Sequence, residues 1–133
     1  MKLVPVGRDK KSPEILYELL AERGPDESIS HKEMPTWAEH LKFVRSNPYQ
    51  CWYLIVVKNI PVGACYISKQ REIGISIFKC FRRQGYAKQA IQMLIDKWPG
   101  RFYANINPEN GKSFDLFASL GFTTLQHTLV RHR

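Results

Sequence analysis

Residues 82–87 read RRQGYA and join two segments of different character. The preceding segment, EIGISIF (72–78), is an apolar run rich in isoleucine and predicts a β-strand. The following segment, KQAIQMLIDKW (88–98), has the apolar spacing of an amphipathic helix. The hexamer is therefore predicted to be a glycine-containing turn that leads directly from a strand into a helix.

A turn of this kind can bind an anion. The first N–H groups of a helix have no partner inside the helix, and the helix dipole adds positive charge at the same end, which suits a phosphate or pyrophosphate. Gly85 would allow close approach of the backbone, and Arg82 and Arg83 would add charge. The hexamer alone is equally compatible with an ordinary turn that carries solvated arginines. It matches neither the dinucleotide-binding G-x-G-x-x-G pattern nor the G-x-x-x-x-G-K-[ST] phosphate loop.

The chain of 133 residues predicts a single domain, 1–133, with one core. Apolar residues at 44% and charged residues at 24% are typical of a globular protein. No run approaches the roughly 20 apolar residues of a membrane span, and the N-terminus lacks a signal-peptide pattern. Cys51, Cys65 and Cys80 form no even set and no C-x-x-C pair, which favours free thiols in the cytoplasm over disulfides or a zinc site.

The net charge of +8 indicates a polyanionic partner, either a nucleic acid or an anionic cofactor or substrate. Basic residues are spread along the chain, and only Arg82, Arg83 and Lys88 cluster beside a special turn. The sequence contains no zinc-finger spacing, ribonucleoprotein motif or leucine heptad. The pattern therefore favours a small polyanion over nucleic acid.

The remaining pattern predicts an α/β domain with the element order β-α-α-β-β-β-α-β-α-β. The predicted strands are 2–6, 51–58, 62–69, 72–78, 101–107 and 123–130. Ser12 is a candidate N-cap of the first helix, which would end at Gly24 and Pro25. Thr36 and Glu39 have the spacing of a capping box before the second helix. Three residues of that helix would face the core: Trp37, Leu41 and Val44.

Two elements of the sequence resemble motifs of the GNAT (GCN5-related N-acetyltransferase) family. Arg82-x-x-Gly85-x-Ala87 matches the family element R/Q-x-x-G-x-G/A. The segment NPENGKSFDLFASLGF (107–122) matches a later motif at Asn110, Ser113, Phe117, Gly121 and Phe122. The two elements occur in the family's order. The resemblance implies the GNAT acyl-CoA N-acyltransferase fold, an α/β domain with a mixed central sheet of about six strands flanked by about four helices.

The resemblance also implies acetyl-CoA as the cosubstrate, and no metal. In this family the turn that matches 82–87 meets the pyrophosphate, the preceding strand pairs with the pantetheine arm, and the asparagine of the later motif contacts that arm. The candidate cofactor-binding residues are Ile75, Ser76, Ile77, Phe78, Arg82, Arg83, Gln84, Gly85, Tyr86, Ala87, Asn110 and Ser113. The four histidines show no metal-ligand spacing.

Acetyl transfer to an amine requires a proton acceptor, because the attacking amine must be neutral. Relatives often carry an acidic residue at the position of Glu72, which makes Glu72 the candidate general base; a solvated strand-end carboxylate is the alternative. Many relatives carry a tyrosine that protonates the CoA thiolate where this chain has Phe117. Phe117 cannot donate a proton and suits a core position. Either Tyr86, Tyr103 or a water protonates the thiolate, or the thiolate leaves unassisted.

The acceptor pocket of the family corresponds to residues 25–49 of this chain. The candidate acceptor-binding residues are His31, Glu33 and Asn105, with His40, Trp37 and Trp52 as further residues of this region or its walls. The His31 imidazole titrates near neutral pH, although a loop role would also suit it, and Asn105 would equally suit a turn before Pro108. The basic charge balance favours a phosphorylated or otherwise acidic acceptor.

The sequence is thus interpreted as an N-acetyltransferase that moves an acetyl group from acetyl-CoA to a primary amine of a small molecule, such as an amino sugar or sugar nucleotide. Two alternatives stay open: acetylation of a protein or peptide amine, and a CoA-binding module without activity. Many relatives place one more strand after the one that matches 123–130, whereas this sequence ends at Arg133. We therefore expect a trimmed sheet edge that a second subunit covers in a homodimer.

Overall fold

The centre of the fold is a four-stranded antiparallel sheet. The computed structural model describes residues 1–23 and 34–132. The strands lie in the order β1 (Lys2–Pro5), β2 (Cys51–Val57), β3 (Ile60–Ile67) and β4 (Ile73–Ile77). Lys58 and Asn59 connect β2 to β3 with φ of 50° and 65°. Positive φ at both central residues gives the connection the twist that a tight hairpin requires, and asparagine tolerates that conformation.

The described residues form four helices, as the sequence predicts: α1 (Ser12–Ala21), α2 (Trp37–Arg45), α3 (Tyr86–Lys97) and α4 (Gly111–Ser119). The predicted capping box of α2 is confirmed by the hydrogen bonds that Thr36 and Glu39 exchange, at 2.9 and 3.2 Å. The predicted N-cap of α1 is wrong by one residue, because Ser12 is already helical and Lys11 is the cap. The predicted helix end at Gly24 and Pro25 lies outside the described residues.

The helices cover the two faces of the sheet in pairs. On one face α3 and α4 bury Ala90, Ile91, Leu94 and Phe117 against the sheet, which we call the α3 face. On the other face α1 packs Leu16 and Leu19, and α2 packs Val44, in the cluster that includes Leu54 and Ala64; we call this the α1–α2 face. None of the helices in the described parts of the chain is long and apolar enough to cross a membrane.

The predicted core position of Trp37 in α2 is wrong. Trp37 lies in the first turn of the helix and keeps 42% of its surface exposed, whereas His40 is only 3% exposed. The Trp37 ring packs against the rings of Tyr17 and His40 rather than against the sheet. His40 occupies the inward position because its Nε2 lies 2.8 Å from the carbonyl oxygen of Pro13 on α1, which satisfies the buried ring nitrogen.

The predicted strand 101–107 forms only one parallel bridge with the sheet, between Glu72 and Tyr103. Ile73 N–H donates to the Tyr103 carbonyl at 2.8 Å, and Tyr103 N–H donates to the Arg71 carbonyl at 2.9 Å. This bridge supplies the parallel crossover through α3 that the sequence predicts. Along the rest of β4, within the described residues, no strand pairs with this edge.

The predicted strand 123–130 is also absent from the described sheet. These residues adopt no regular secondary structure, and Leu125, Leu129 and Val130 are 73%, 92% and 78% exposed. An alternating sequence forms a strand only where a neighbouring strand supplies hydrogen bonds, and none in the described chain does so. The α/β fold class is confirmed. Instead of the expected six or so strands, the described residues form four strands and one bridge.

Candidate active site

The turn that opens α3 has an unusual backbone. Gly85 is the N-cap of α3 with φ 79° and ψ 8°, and Arg83 also has positive φ, at 65°. A Cβ at Gly85 would meet no heavy atom closer than Gln89 Nε2 at 4.0 Å, so it would point into open space. Arg82 Nε donates to the Ile77 carbonyl at 3.1 Å, which ties the turn to the end of β4. The turn therefore presents its backbone to an open region that a ligand can enter.

A cleft of about 280 Å³ lies over this turn. Its lining residues are Ile77, Phe81, Arg82, Arg83, Gly85, Tyr86, Ala87, Lys88, Lys112 and Leu116. Four of them carry positive charge at the end of α3 where the helix dipole is also positive. The cleft is consequently suited to a polyanion. The sequence interpretation missed Lys112, which lies in the first turn of α4 beside Ser113 of the later motif.

The open edge of β4 forms the floor of the region beside the cleft. Phe78 N–H donates to Val62 on β3, whereas Ile73 N–H donates to Tyr103 on the opposite side. Main-chain groups of successive strand residues alternate in direction. The N–H and carbonyl of Ile75 therefore point toward the gap between β4 and residues 104–107, where they can pair with an extended ligand.

The predicted cofactor-binding residues occupy several kinds of position. Those that line the cleft are Ile77, Arg82, Arg83, Gly85, Tyr86 and Ala87. Ile75 and Phe78 pack against core clusters on opposite faces, and Gln84 is exposed. Ser76 faces the α1–α2 side, opposite Ala64. The Asn110 side chain accepts a hydrogen bond from Ser113 N–H at 3.1 Å and so caps α4.

Glu72 and Asn105, predicted from separate arguments, lie together. Asn105 Nδ2 donates to Glu72 Oε2 at 2.6 Å, and Glu72 N–H donates to Ser68 Oγ at 2.9 Å. Ile73 packs in the core of the α3 face, so by alternation the Glu72 side chain lies on the α1–α2 side. The pair therefore lies on the α1–α2 side of the gap between β4 and residues 104–107. His31 and Glu33, the other predicted acceptor-binding residues, lie outside the described residues.

Arg71 connects the start of β4 to residues 99–103. Its Nε donates to the Arg101 carbonyl at 3.1 Å, its Nη2 donates to the Pro99 carbonyl, and its guanidinium lies 4.7 Å from the Phe102 ring centre. These contacts fasten residues 99–103 to the start of β4. No sequence motif pointed to Arg71, because its partners follow it by about 30 residues and become visible only in the folded chain.

Four aromatic side chains form a continuous surface on the α1–α2 face; we call Phe43, Tyr49, Trp52 and Tyr66 the aromatic surface. Tyr49 and Tyr66 stack with ring centres 3.8 Å apart and planes within 7°, and Trp52 contacts Tyr49 and Phe43 edge-on. Burial, together with the neighbouring Tyr66, raises the pKa of Tyr49. Trp52, a predicted wall, belongs to this surface, whereas Trp37 packs with Tyr17 and His40.

The tyrosine-to-phenylalanine departure at Phe117 has a structural explanation. Phe117 is 5% exposed and packs edge-on against Phe122, with ring centres 5.1 Å apart. It is a core residue of the α3 face, as the sequence interpretation allowed. Of the two tyrosines considered as proton donors, Tyr86 lines the cleft and Tyr103 forms the bridge to Glu72.

Comparisons with known proteins agree with this geometry. The family model described as an acetyltransferase (GNAT) domain matches residues 7–123. No protein with a curated description matches the sequence.

Solved structures with a similar fold include the following three. The first is a spermidine N-acetyltransferase chimera from Vibrio cholerae and hSSAT, at TM-score 0.74 and 15% identity over 96% of this chain and 84% of that one. The second is an aminoglycoside 6'-N-acetyltransferase from Acinetobacter haemolyticus, at TM-score 0.71 and 16% identity over 100% and 98%. The third is yncA of Salmonella typhimurium, a putative acetyltransferase with its cofactor acetyl-CoA, at TM-score 0.68 and 17% identity over 92% and 78%.

The identities to these structures are all below 25%, so the structures support a shared fold only. The family model, by contrast, matches the sequence itself. The model spans most of the chain and includes both the turn at 82–87 and the α4 motif. The chain therefore belongs to the GNAT acetyltransferases, enzymes that use acetyl-CoA as the acetyl donor for amines.

Proposed function

We propose that the protein acetylates the primary amine of a small molecule, such as an amino sugar or sugar nucleotide. The observation that carries the proposal is the Glu72–Asn105 pair beside the open edge of β4. A carboxylate at this position can accept the proton of an amine, and it lies beside main-chain groups that are available to an extended cosubstrate. The cationic cleft lies further along the same strand.

The residues around the cleft fit acetyl-CoA. Arg82, Arg83, Lys88 and Lys112 supply positive charge for its phosphates. Gly85 leaves open the space that a Cβ would enter, so the backbone can approach a pyrophosphate closely. At the open edge of β4, the Ile75 carbonyl is available to an amide N–H of a pantetheine arm. When bound, acetyl-CoA supplies an acetyl group activated as a thioester.

Glu72 is proposed as the general base. An amine substrate is largely an ammonium ion at neutral pH, so a carboxylate must accept its proton before it can attack. Asn105 fixes the orientation of the Glu72 carboxylate through Oε2 and leaves Oε1 for the amine or for a bridging water. The Ile75 N–H at the open edge can donate to the thioester oxygen as negative charge develops there. Tyr86, Tyr103 and a water stay the candidate proton donors to the thiolate: Tyr86 lines the cleft, and Tyr103 forms the bridge to Glu72.

A small acceptor is favoured over a protein. The aminoglycoside 6'-N-acetyltransferase with this fold acts, by its name, on an amino-sugar antibiotic, whereas the spermidine N-acetyltransferase acts on a polyamine. The net charge of +8 favours an acidic or phosphorylated acceptor over a polyamine. His31 and Glu33 remain predicted acceptor contacts. We also propose a cytoplasmic, reducing setting, which the free thiols of Cys51, Cys65 and Cys80 support, and a homodimer.

Thermal unfolding followed by a CoA-release assay tests the proposal. A ligand at about 100 times its dissociation constant stabilises the native state by about 2.7 kcal/mol, which raises the midpoint by several degrees in a domain of this size. We expect acetyl-CoA to raise the midpoint more than ADP, and CoA release to require a small amine. Stabilisation by acetyl-CoA without CoA release from any amine would instead indicate a binding module. Release only with peptide amines would favour a protein substrate.

A further inference from the structure

Glu22 stands at a position that local helix chemistry disfavours. It is the C-cap of α1, and its N–H donates to the Glu18 and Leu19 carbonyls at 3.3 Å. The C-terminal end of a helix carries partial negative charge, so a carboxylate is unfavourable there. The last turn of α1, within the described range 1–23, contains no basic residue to offset this repulsion. A residue in conflict with its local context is expected to have a role elsewhere in the fold.

The partner of Glu22 lies just before the turn at 82–87. Lys79 N–H donates to Glu22 Oε1 at 2.8 Å, although 57 positions separate the two residues. Lys79 opens a single turn of 3₁₀-helix, Lys79–Phe81, so its N–H has no partner inside that helix. Arg82 N–H donates back to the Lys79 carbonyl at 3.3 Å, which joins this 3₁₀ turn directly to the hexamer. Glu22 therefore caps the segment that leads into the turn at 82–87.

The backbone beyond this cap adopts an unfavourable conformation. Arg83 has φ of 65°, and positive φ is uncommon for a residue with a side chain, so surrounding contacts must hold it in place. Those contacts include the hydrogen bond from Arg82 Nε to the Ile77 carbonyl at 3.1 Å and the one from Lys79 N–H to Glu22. The first arises within the segment itself, whereas the second comes from α1. Loss of the Glu22 carboxylate would therefore remove a restraint on the conformation of the turn.

On these grounds, and resting on the proposed function, we infer that Glu22 is a positioning residue for acetyl-CoA binding: by capping residues 79–81 it holds the turn at 82–87 in the conformation that meets the pyrophosphate. Among the described residues, those that line the cleft do not include Glu22, so it acts through the backbone of Lys79 rather than by touching the ligand. Its negative charge alone would repel the phosphates. The hydrogen bond and the charge of Glu22 thus have opposite effects on affinity, which makes the two separable.

Binding titrations with acetyl-CoA and with ADP, both of which carry a pyrophosphate, test the inference. Glu22→Ala should raise both dissociation constants about three- to tenfold, the range that one hydrogen bond contributes. Glu22→Gln keeps a side-chain oxygen that can accept from Lys79 N–H, so it should recover most of the affinity. Glu18→Ala, one turn earlier on the exposed face of α1, removes the same atoms and the same charge and is the matched control, with both dissociation constants unchanged.

The donor side of the hydrogen bond gives a second test. Lys79→Pro removes the N–H, and Phe78, with φ −55° and ψ 140°, already has a conformation that a following proline accepts. Lys79→Ala keeps the N–H and removes only the charged side chain. We expect Lys79→Pro to weaken acetyl-CoA binding more than Lys79→Ala does. We also expect Glu22→Ala to add little to Lys79→Pro, because both remove the same interaction.

The outcomes separate this inference from the proposed function. Unchanged or raised affinity in a folded Glu22→Ala protein, or no recovery in Glu22→Gln, would overturn the positioning role while leaving the cofactor site intact. Equal weakening by Lys79→Pro and Lys79→Ala would assign the effect to charge and would also overturn it, and this comparison applies even if Glu22→Ala does not fold. If the wild-type protein binds neither acetyl-CoA nor ADP, the proposed function itself fails.

Discussion

The two halves of the active site are encoded in different ways. The proposed cofactor half centres on one contiguous hexamer, 82–87, and relies on backbone N–H groups, one left-handed glycine and positive charge. The proposed acceptor half centres on Glu72 and Asn105, which hydrogen-bond across 33 positions of the sequence. Local backbone chemistry can be read from a short motif, whereas a pocket formed by side chains distant in the sequence cannot. The predictions below test whether the two halves are also functionally separable.

The largest effect is expected in the acceptor half, from Glu72→Gln. The amide cannot accept the amine proton, and general-base catalysis typically contributes about 10²- to 10⁴-fold to the rate. We therefore expect kcat to fall by at least about 10²-fold, with the affinity for acetyl-CoA unchanged. Steady-state CoA release and a binding titration measure the two quantities, and Glu18→Gln on the exposed face of α1 is the control. A kcat near that of the wild type would remove Glu72 as the base.

The reciprocal change in the cofactor half is Gly85→Val. Its side chain would enter the open space over the turn and would also be strained at φ 79°. We expect the affinity for acetyl-CoA to fall by at least about tenfold, or about 1.4 kcal/mol. Gly85→Asn separates the two causes, because asparagine tolerates positive φ and still fills the space. Unchanged affinity in both folded variants would exclude the turn from the cofactor site.

Most of the fold was predictable because its signals are local. The capping box at Thr36 and the left-handed Gly85 each follow from a few neighbouring residues. The turn between the second and third strands was predicted at 59–61, whereas it lies at Lys58–Asn59 and β3 already begins at Ile60. Other wrong predictions concern strands that must pair with distant segments of the chain. The segments 101–107 and 123–130 have strand-like sequences, yet the first forms one bridge and the second forms none within the described chain. Alternation of apolar residues indicates that a segment can be a strand and does not identify its partner.

The same limit explains which site residues the sequence identified. Glu72 was chosen from the family resemblance, and its hydrogen bond to Asn105 could not be foreseen because 33 positions separate the two residues. The position of the Tyr66 ring over Gly74 was equally unpredictable, because it depends on the register of β3 and β4. Register follows from the packing of whole strands rather than from any single motif.

A smaller effect, confined to the acceptor half, is expected from Arg71→Ala. The guanidinium holds the carbonyls of Pro99 and Arg101 and packs on Phe102. Its loss would loosen the segment that carries Asn105 and so misplace the Glu72 carboxylate. We expect kcat to fall about tenfold, since small misplacements of catalytic groups are costly, with the KM for acetyl-CoA unchanged. Arg71→Lys should not restore the rate, because one ammonium cannot reproduce the planar fork. A matching rise in the KM for acetyl-CoA would show that the two halves are coupled.

The smallest effect concerns stability under the acceptor half. Burial lowers the pKa of His40 below its ordinary value of 6.5, and the hydrogen bond to the Pro13 carbonyl opposes this shift only in part. Because the folded state disfavours the charged ring, the contribution of His40 to stability is complete above about pH 6.5. It is lost as the pH falls toward the lower pKa of the folded state, where the unfolded chain binds the proton first. The unfolding midpoint of the wild type should thus fall more between pH 7.5 and 5.5 than that of His40→Gln, which does not titrate.

If the midpoints of both proteins fell equally with pH, protonation of His40 would not be linked to the packing of α1 on α2. A steeper wild-type slope together with unchanged acetyl-CoA affinity at pH 5.5 would show that the α1–α2 side can weaken while the cofactor turn stays intact.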